Sequence, residues 1–127
     1  WSKALPETGQ STVVIKDGRL FYTCYQPLEA DGELGSNIVA YCADAQTGDV
    51  LWQRTIRGQH PLRLSGCFSD STSPPAVTDG ERVCFFNASG TLTCFDMQGD
   101  QLWSREAMAV GRSHFIVTPS GIGYRTG

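Results

Sequence analysis

The side chains best suited to chemistry in this chain are five cysteines, two histidines and a scatter of acids. Cys24, Cys42, Cys67, Cys84 and Cys94 form no Cys-x-x-Cys pair, and neither His60 nor His114 lies near a cysteine in sequence. Zinc spacing is therefore absent. Ser113, His114 and Asp96 supply the residue types of a nucleophilic triad, in which an acid orients the imidazole that takes a hydroxyl proton. The strand-to-helix elbow that would present such a serine is missing. Glu29, Asp31, Glu33, Asp70 and Glu81 stand among turn and loop residues, where a solvated carboxylate is the ordinary outcome. Segment 57–73 is long for a connection without regular structure, and such loops are commonly functional. It carries Arg57, His60, Arg63 and Ser71 to Ser73, which with His114 make a candidate ligand loop at the mouth of the fold. Its Leu62, Leu64 and Phe68 equally suit a cover over a sheet edge. These residues assign no catalytic group and no metal ligand, and the segment reads as non-enzymatic.

The elements that must position these groups follow a repeat. Asp44-Ala45-Gln46-Thr47-Gly48-Asp49-Val50-Leu51-Trp52 is a tight turn between apolar runs, closed by a tryptophan. It returns shortened as Asp96-Met97-Gln98-Gly99-Asp100-Gln101-Leu102-Trp103, and the tail of another copy opens the chain at Trp1-Ser2-Lys3. Trp1, Trp52 and Trp103 are 51 residues apart, each followed two positions on by Lys3, Arg54 or Arg105. A fixed period of about 40 to 50 residues marks an array of like units, often a propeller.

Within each period the chain spells four short strands. Thr12 to Ile15, the turn dipeptide Asp17-Gly18 and Arg19 to Tyr25 read as a hairpin. Gln26 to Ser36, with Pro27, Gly32, Gly35 and three acids, reads as an exposed loop. Asn37 to Asp44 and Val50 to Ile56 complete the unit. The second copy runs from Pro75 through Asp79-Gly80, Arg82 to Phe86, the turn Asn87 to Gly90, and Thr91 to Phe95 to Glu106. A third begins at Phe115 to Thr118 and Ile122 to Tyr124. Consecutive apolar residues at Leu20 to Tyr22 and Val83 to Phe86 imply strands covered on both faces, as in stacked blades. The expected fold is thus an all-β propeller fragment: two four-stranded antiparallel blades and the start of a third. Residues 1–3 end a preceding blade, 11–56 form a blade, 57–73 link, 74–107 form the next, and 113–127 begin another.

Composition narrows the partners. A formal charge of −3 gives no pull toward nucleic acid or anionic lipid. The longest apolar runs, such as Ile38 to Ala43, are too short to span a membrane. Since the chain opens on the closing Trp of a repeat, its natural N-terminus is expected further upstream, and the lack of a signal peptide says nothing about export.

Asp-x-x-Thr-Gly-x-x-x-Trp, at Asp44, Thr47, Gly48 and Trp52, resembles the tryptophan-docking motif of pyrroloquinoline-quinone-like β-propellers. The second copy retains Asp96, Gly99 and Trp103 without the Thr. The family pattern has Ala two residues before the Asp, where Cys42 and Cys94 stand here; cysteine fits such a site as a small hydrophobe. The resemblance covers residues 11 to 125. It implies that these seven residues are scaffold, each Trp packing on a turn to tie neighbouring blades. It implies a binding propeller without a cofactor, holding a protein partner or small ligand at its face. The implied setting is periplasmic or extracellular, including outer-membrane association. The alternative is a segment of a quinoprotein dehydrogenase, or an accessory or sensor domain of a larger enzyme. A dehydrogenase would need the quinone, calcium held by Glu, Asn and Asp, an Asp base and often two adjacent disulfide-bonded cysteines. No two cysteines here are neighbours.

Two further expectations follow from the repeat. Two blades cannot close a ring, so either remaining blades or self-association should cover their apolar outer faces. If Asn87 to Gly90 is a four-residue turn, Phe86 pairs with Thr91, Val83 faces Cys94 and Cys84 faces Thr93, on opposite sheet faces. The matching register sets Leu20 against Cys42 and Cys24 against Ile38, leaving Cys24 and Cys42 about 13 Å apart along the strand. Only Cys67 would then be free to find a partner, with Cys24 or a cysteine elsewhere, and no pair forms among the other four.

Overall fold

The computed structural model describes residues 1–7, 9, 11–26, 37–58, 72 and 74–106, and the backbone of 113–118 and 121–126. Strands β1 (Val14–Lys16), β2 (Arg19–Tyr25), β3 (Ile38–Asp44) and β4 (Val50–Ile56) form one antiparallel sheet in sequence order. Strands β5 (Val77–Thr78), β6 (Arg82–Asn87), β7 (Thr91–Asp96) and β8 (Gln101–Glu106) form a second of the same topology. A separate two-stranded antiparallel hairpin joins β9 (Ser113–Thr118) to β10 (Gly121–Thr126). The protein is thus all-β, with two four-stranded up-and-down sheets of the blade type.

The hairpins follow their turn residues. Asp17 and Gly18 both take positive φ, 51° and 75°, and join β1 to β2 as a two-residue loop of the kind that matches strand twist. The second Asp-Gly differs. Thr78 pairs with Val83, so four residues separate the last paired residues of this hairpin. The Asp79 carboxylate accepts the backbone N–H groups of Glu81 and Arg82, each at 2.9 Å. Arg82 nevertheless stands opposite Asp96 as Arg19 stands opposite Asp44; the additional turn residues are absorbed before β6.

Inner strands are buried on both faces, and six successive residues of β2 and of β3 are buried. The core between the sheets joins Phe21, Ile38, Ala40, Cys42, Trp52 and Ile56 of the first to Ala76, Val83, Phe85 and Phe95 of the second. Trp52 meets Phe85 edge-on, at 6.2 Å and 86°, and Phe21 meets Phe85 at 6.3 Å and 64°. Such tilted pairs set the negative face of one ring against the positive edge of another. A second cluster, with Leu20, Tyr22, Cys24, Val39, Tyr41 and Ala43, covers the other face of the first sheet. Cys84, Leu92 and Cys94, with Phe86 and Trp103, cover the far face of the second.

The same irregularity occurs in both sheets. Cys42 pairs with Trp52 but Ala43 with Val50, and Cys94 pairs with Trp103 but Phe95 with Gln101. Leu51 and Leu102 are therefore the extra residues of two equivalent bulges, and both are exposed. A bulge shifts the side-chain alternation, so Trp52 and Cys42 share the face that packs on the second sheet while Val50 sides with Ala43 on the other.

The cysteine register differs from expectation by one residue. Asn87 is the last paired residue of β6, opposite Thr91, and the loop is three residues, Ala88-Ser89-Gly90. Asn87 holds that position because its side chain is fully buried and bonded at both ends. Its Oδ1 accepts the Ser89 N–H at 2.9 Å, and its amide donates to the Ile56 carbonyl at 3.1 Å. A one-residue slip moves every side chain to the other face. Cys84 and Cys94 are consequently directly opposite, with Cα atoms 4.1 Å apart, and form a disulfide. The expectation that these two do not pair is overturned. In the first sheet Cys42 faces Phe21 and Cys24 faces Val39, again one row from the expected partners. Cys24 and Cys42 now point to opposite faces and remain free thiols. Cys67 lies outside the described residues.

Candidate functional site

The polar geometry of this protein concentrates at the two Asp turns and at the side chains that reach them. In the first turn the Asp44 carboxylate accepts the N–H groups of Gln46 and Thr47, at 2.7 and 3.2 Å. The Thr47 hydroxyl accepts the Asp49 N–H at 3.3 Å. Gly48 closes the turn, donating its N–H to the Asp44 carbonyl at 2.8 Å with φ of 77°. The second turn is one residue shorter and has no Thr. Asp96 replaces that hydroxyl as acceptor, its carboxylate taking both Gln98 N–H, at 2.9 Å, and Asp100 N–H, at 3.0 Å.

Each turn offers two carbonyls to an aromatic and a cation from elsewhere. The Trp52 indole donates to Met97 O at 3.1 Å and Arg54 Nε to Gly99 O at 2.9 Å. Arg19 also donates to Met97 O. On the first turn, Trp1 donates to Ala45 O at 3.1 Å and Lys3 to Gly48 O at 3.2 Å. The two arrangements match residue for residue. Glycine is required for space as well as for φ: a Cβ at Gly99 would approach the Trp52 ring to 2.8 Å, and one at Gly48 the Trp1 ring to 2.7 Å. Their settings differ, because Trp52 is 8% exposed under the second sheet while Trp1 is 66% exposed.

Beside the first turn lies a cavity of about 230 Å³ between the N-terminal segment and the outer face of the first sheet. Trp1, Leu5, Val13, Leu20, Tyr22 and Ala43 line it, with Lys3 and Thr23 among the few polar groups. Tyr22 stacks on Tyr41 behind it, at 5.1 Å and 13°. Burial raises the Tyr22 and Tyr41 phenols and the Cys24 thiol above their ordinary pKa values. Burial likewise raises Cys42, against a smaller lowering by Arg19. Both thiols stay protonated at neutral pH, which makes them poor nucleophiles.

Most of the candidate ligand loop lies outside the described residues. Arg57 is exposed, and its carbonyl accepts the Thr91 hydroxyl at 2.7 Å, which ties the end of β4 to the second sheet. His60 and Arg63 lie outside the described residues, as do Ser71, Ser73, Glu29, Asp31, Glu33 and Asp70. His114 is placed only by its backbone, opposite Arg125 in the β9–β10 hairpin. Asp96 is unsuited to orienting an imidazole because its carboxylate already holds two N–H groups of its own turn.

Asp44, Asp79 and Asp96 are each committed to backbone N–H groups, and no group of three His, Cys, Asp or Glu able to hold a metal occurs among the described residues. The disulfide joins strand partners ten residues apart in sequence. No helix among the described residues is long and apolar enough to cross a membrane.

Sequence reasoning missed three features: the Arg19 contact, the Lys3 and Arg54 contacts to turn carbonyls, and the disulfide. The Lys3 and Arg54 contacts had a signal in the repeated basic residue two positions after each Trp. The disulfide had none stronger than the length of one turn.

Comparison with known proteins agrees with this geometry. A family profile described as outer membrane protein assembly factor BamB, of the pyrroloquinoline-quinone repeat type, matches residues 1–118. The outer membrane protein assembly factor BamB of Nitrosomonas eutropha (strain DSM 101675 / C91 / Nm57) is 29% identical over 90 residues, covering 66% of this chain. The matched stretch is 21% of that protein's length.

Proposed function

Since this chain belongs to the BamB family of pyrroloquinoline-quinone-like repeats, we propose that it is a non-enzymatic propeller scaffold that holds protein partners on its blade surface. The observation that carries this reading is the engagement of the Asp44, Asp79 and Asp96 carboxylates in turn geometry. Asp44 and Asp96 shape turns whose carbonyls receive a Trp and a cation from the neighbouring unit. In this reading Asp44, Thr47, Gly48, Trp52, Asp96, Gly99 and Trp103 tie blades together, and the scaffold works without a cofactor.

The relative's printed name, an outer membrane protein assembly factor, supports a protein partner and a periplasmic setting beside the outer membrane. The Cys84–Cys94 disulfide supports the same setting, because such bonds persist in oxidising compartments. The exposed Leu51 and Leu102, placed alike on the outermost strands, are suitable partner contacts.

Photocrosslinking residues placed at Leu51 and Leu102 in cells test this reading, with membrane-protein assembly components as the expected products. Adding calcium and pyrroloquinoline quinone to the purified protein should produce neither bound-cofactor absorbance nor dye-linked alcohol or sugar oxidation. Either signal would replace the scaffold reading with a dehydrogenase.

A further inference from the structure

The two sheets carry equivalent rows of side chains, and only one of the rows is bonded. In the first sheet Phe21 stands opposite Cys42, which stands opposite Trp52. In the second, Cys84 stands opposite Cys94, which stands opposite Trp103. The first sheet therefore forms the same four strands, the same bulge and the same kind of Asp turn while Cys42 is a free thiol. A unit of this design does not need the cystine in order to fold. Nor does the bond set the register that brings its own sulfurs together. The Asn87 amide anchors the end of β6 on the Ile56 carbonyl, and the Thr91 hydroxyl anchors the start of β7 on the Arg57 carbonyl.

Both oxidation states suit the place where the cysteines lie. Leu92, Phe86 and Trp103 pack with them, and a protonated thiol behaves in such surroundings as a small hydrophobe. Because the register is held from elsewhere, opening the bond leaves the two thiols directly opposite each other, ready to close again. Among the described residues the competing partners are remote. Cys42 lies in the core between the sheets, and Cys24 lies on the far face of the first. Trp103 packs on the cystine and follows Cys94 in the row, so the state of the bond is felt at that ring.

We propose that Cys84 and Cys94 are a reversible thiol–disulfide exchange site, opened by a dithiol and closed by a disulfide donor, which firms or loosens the seat of Trp103. One thiolate of the dithiol attacks a cysteine sulfur, the Cys84–Cys94 bond breaks, and the other cysteine leaves as a thiolate that takes up a proton. The second thiol of the reductant then displaces the remaining cysteine from the mixed disulfide. Two electrons and two protons pass to Cys84 and Cys94, and the dithiol becomes its own disulfide. Closure is the reverse exchange with an oxidised donor. The site does not rest on the proposed partner: crosslinks at Leu51 and Leu102 can persist or fail independently of it.

Treating the full-length protein with dithiothreitol under native conditions, then alkylating and mapping Cys84 and Cys94 by mass spectrometry, tests it. Neither cysteine should alkylate before treatment, and both should afterwards, with the far-ultraviolet circular dichroism spectrum unchanged. Oxidised glutathione should then restore the Cys84–Cys94 bond and join no other pair among Cys24, Cys42, Cys84 and Cys94. Hydrogen exchange should quicken on reduction in β7 and β8, where the tether is lost, and stay constant in β2 and β3. Cys84→Ser, which has no bond to open, should exchange in β8 at one rate with and without reductant. Cysteines that resist reduction until the protein is denatured, a sheet that melts once they are reduced, reoxidation into other pairs, or β8 exchange that ignores reductant in the unaltered protein would each overturn the proposal.

Discussion

The ring of Trp52 lies directly on Gly99, so that a Cβ on that glycine would come within 2.8 Å of the indole. Two demands meet at one residue, since the turn also holds Gly99 at φ of 89°. Gly18 serves as its control: φ there is 75°, and a Cβ would meet nothing within 4 Å. Gly18→Ala should therefore cost about 1 kcal/mol, the left-handed penalty alone. Gly99→Ala should cost about 3 kcal/mol or more, since the indole must also shift. Urea denaturation of the two variants checks the difference, and equal losses would show that the ring gives way freely.

The two later tryptophans should no longer behave alike. Trp52 is buried among Phe21, Phe85 and Phe95, and Trp52→Ala should destabilise by about 3–5 kcal/mol. Trp103 is half-buried on the far face of the second sheet. Its replacement by Ala should cost about 2 kcal/mol or less. Equilibrium unfolding followed by far-ultraviolet circular dichroism measures both; a Trp52 variant losing under about 1 kcal/mol would remove the ring from the core.

Thiol counting, with the reductant response of a double variant, tests whether Cys84 and Cys94 pair. The denatured, unreduced chain should expose three thiols, with Cys84 and Cys94 joined. Before denaturation, Cys24 and Cys42 should label slowly, because both are buried and protonated. Reduction should lower stability by about 2–4 kcal/mol, and the Cys84→Ser/Cys94→Ser double variant should lose sensitivity to reductant. Five reactive thiols after denaturation would show that Cys84 and Cys94 do not pair.

Acid should weaken the β5–β6 turn through Asp79. The backbone N–H groups of Arg82 and Glu81, and then the Arg82 guanidinium, hold its carboxyl below the usual range. A carboxylate with a depressed folded pKa contributes stability above its unfolded value, near pH 4. That contribution is lost as pH falls through the folded value. Asp79→Asn should be less stable than the unaltered chain at neutral pH, and the gap should close below about pH 4. A gap that persists in acid would assign the loss to turn geometry instead of charge.

The architecture was legible because it depends on short-range rules repeated along the chain. Asp17-Gly18 dictates a two-residue hairpin, apolar runs at Leu20 to Tyr22 dictate two covered faces, and the spacing of Trp1, Trp52 and Trp103 dictates successive units. These marks were sufficient for two four-stranded sheets and for identifying the turns that matter. What joins the sheets was decided in three dimensions. Whether β6 ends at Phe86 or Asn87 depends on the Ile56 carbonyl, 31 residues away in sequence, which the Asn87 amide reaches only once the sheets are packed. That single contact places Cys84 opposite Cys94, because strand alternation has a period of two and a slip of one residue exchanges the faces. The same holds for Arg19 on Met97, 78 residues apart. A spacing in sequence can announce a repeat, but only tertiary packing selects which carbonyl each donor finds.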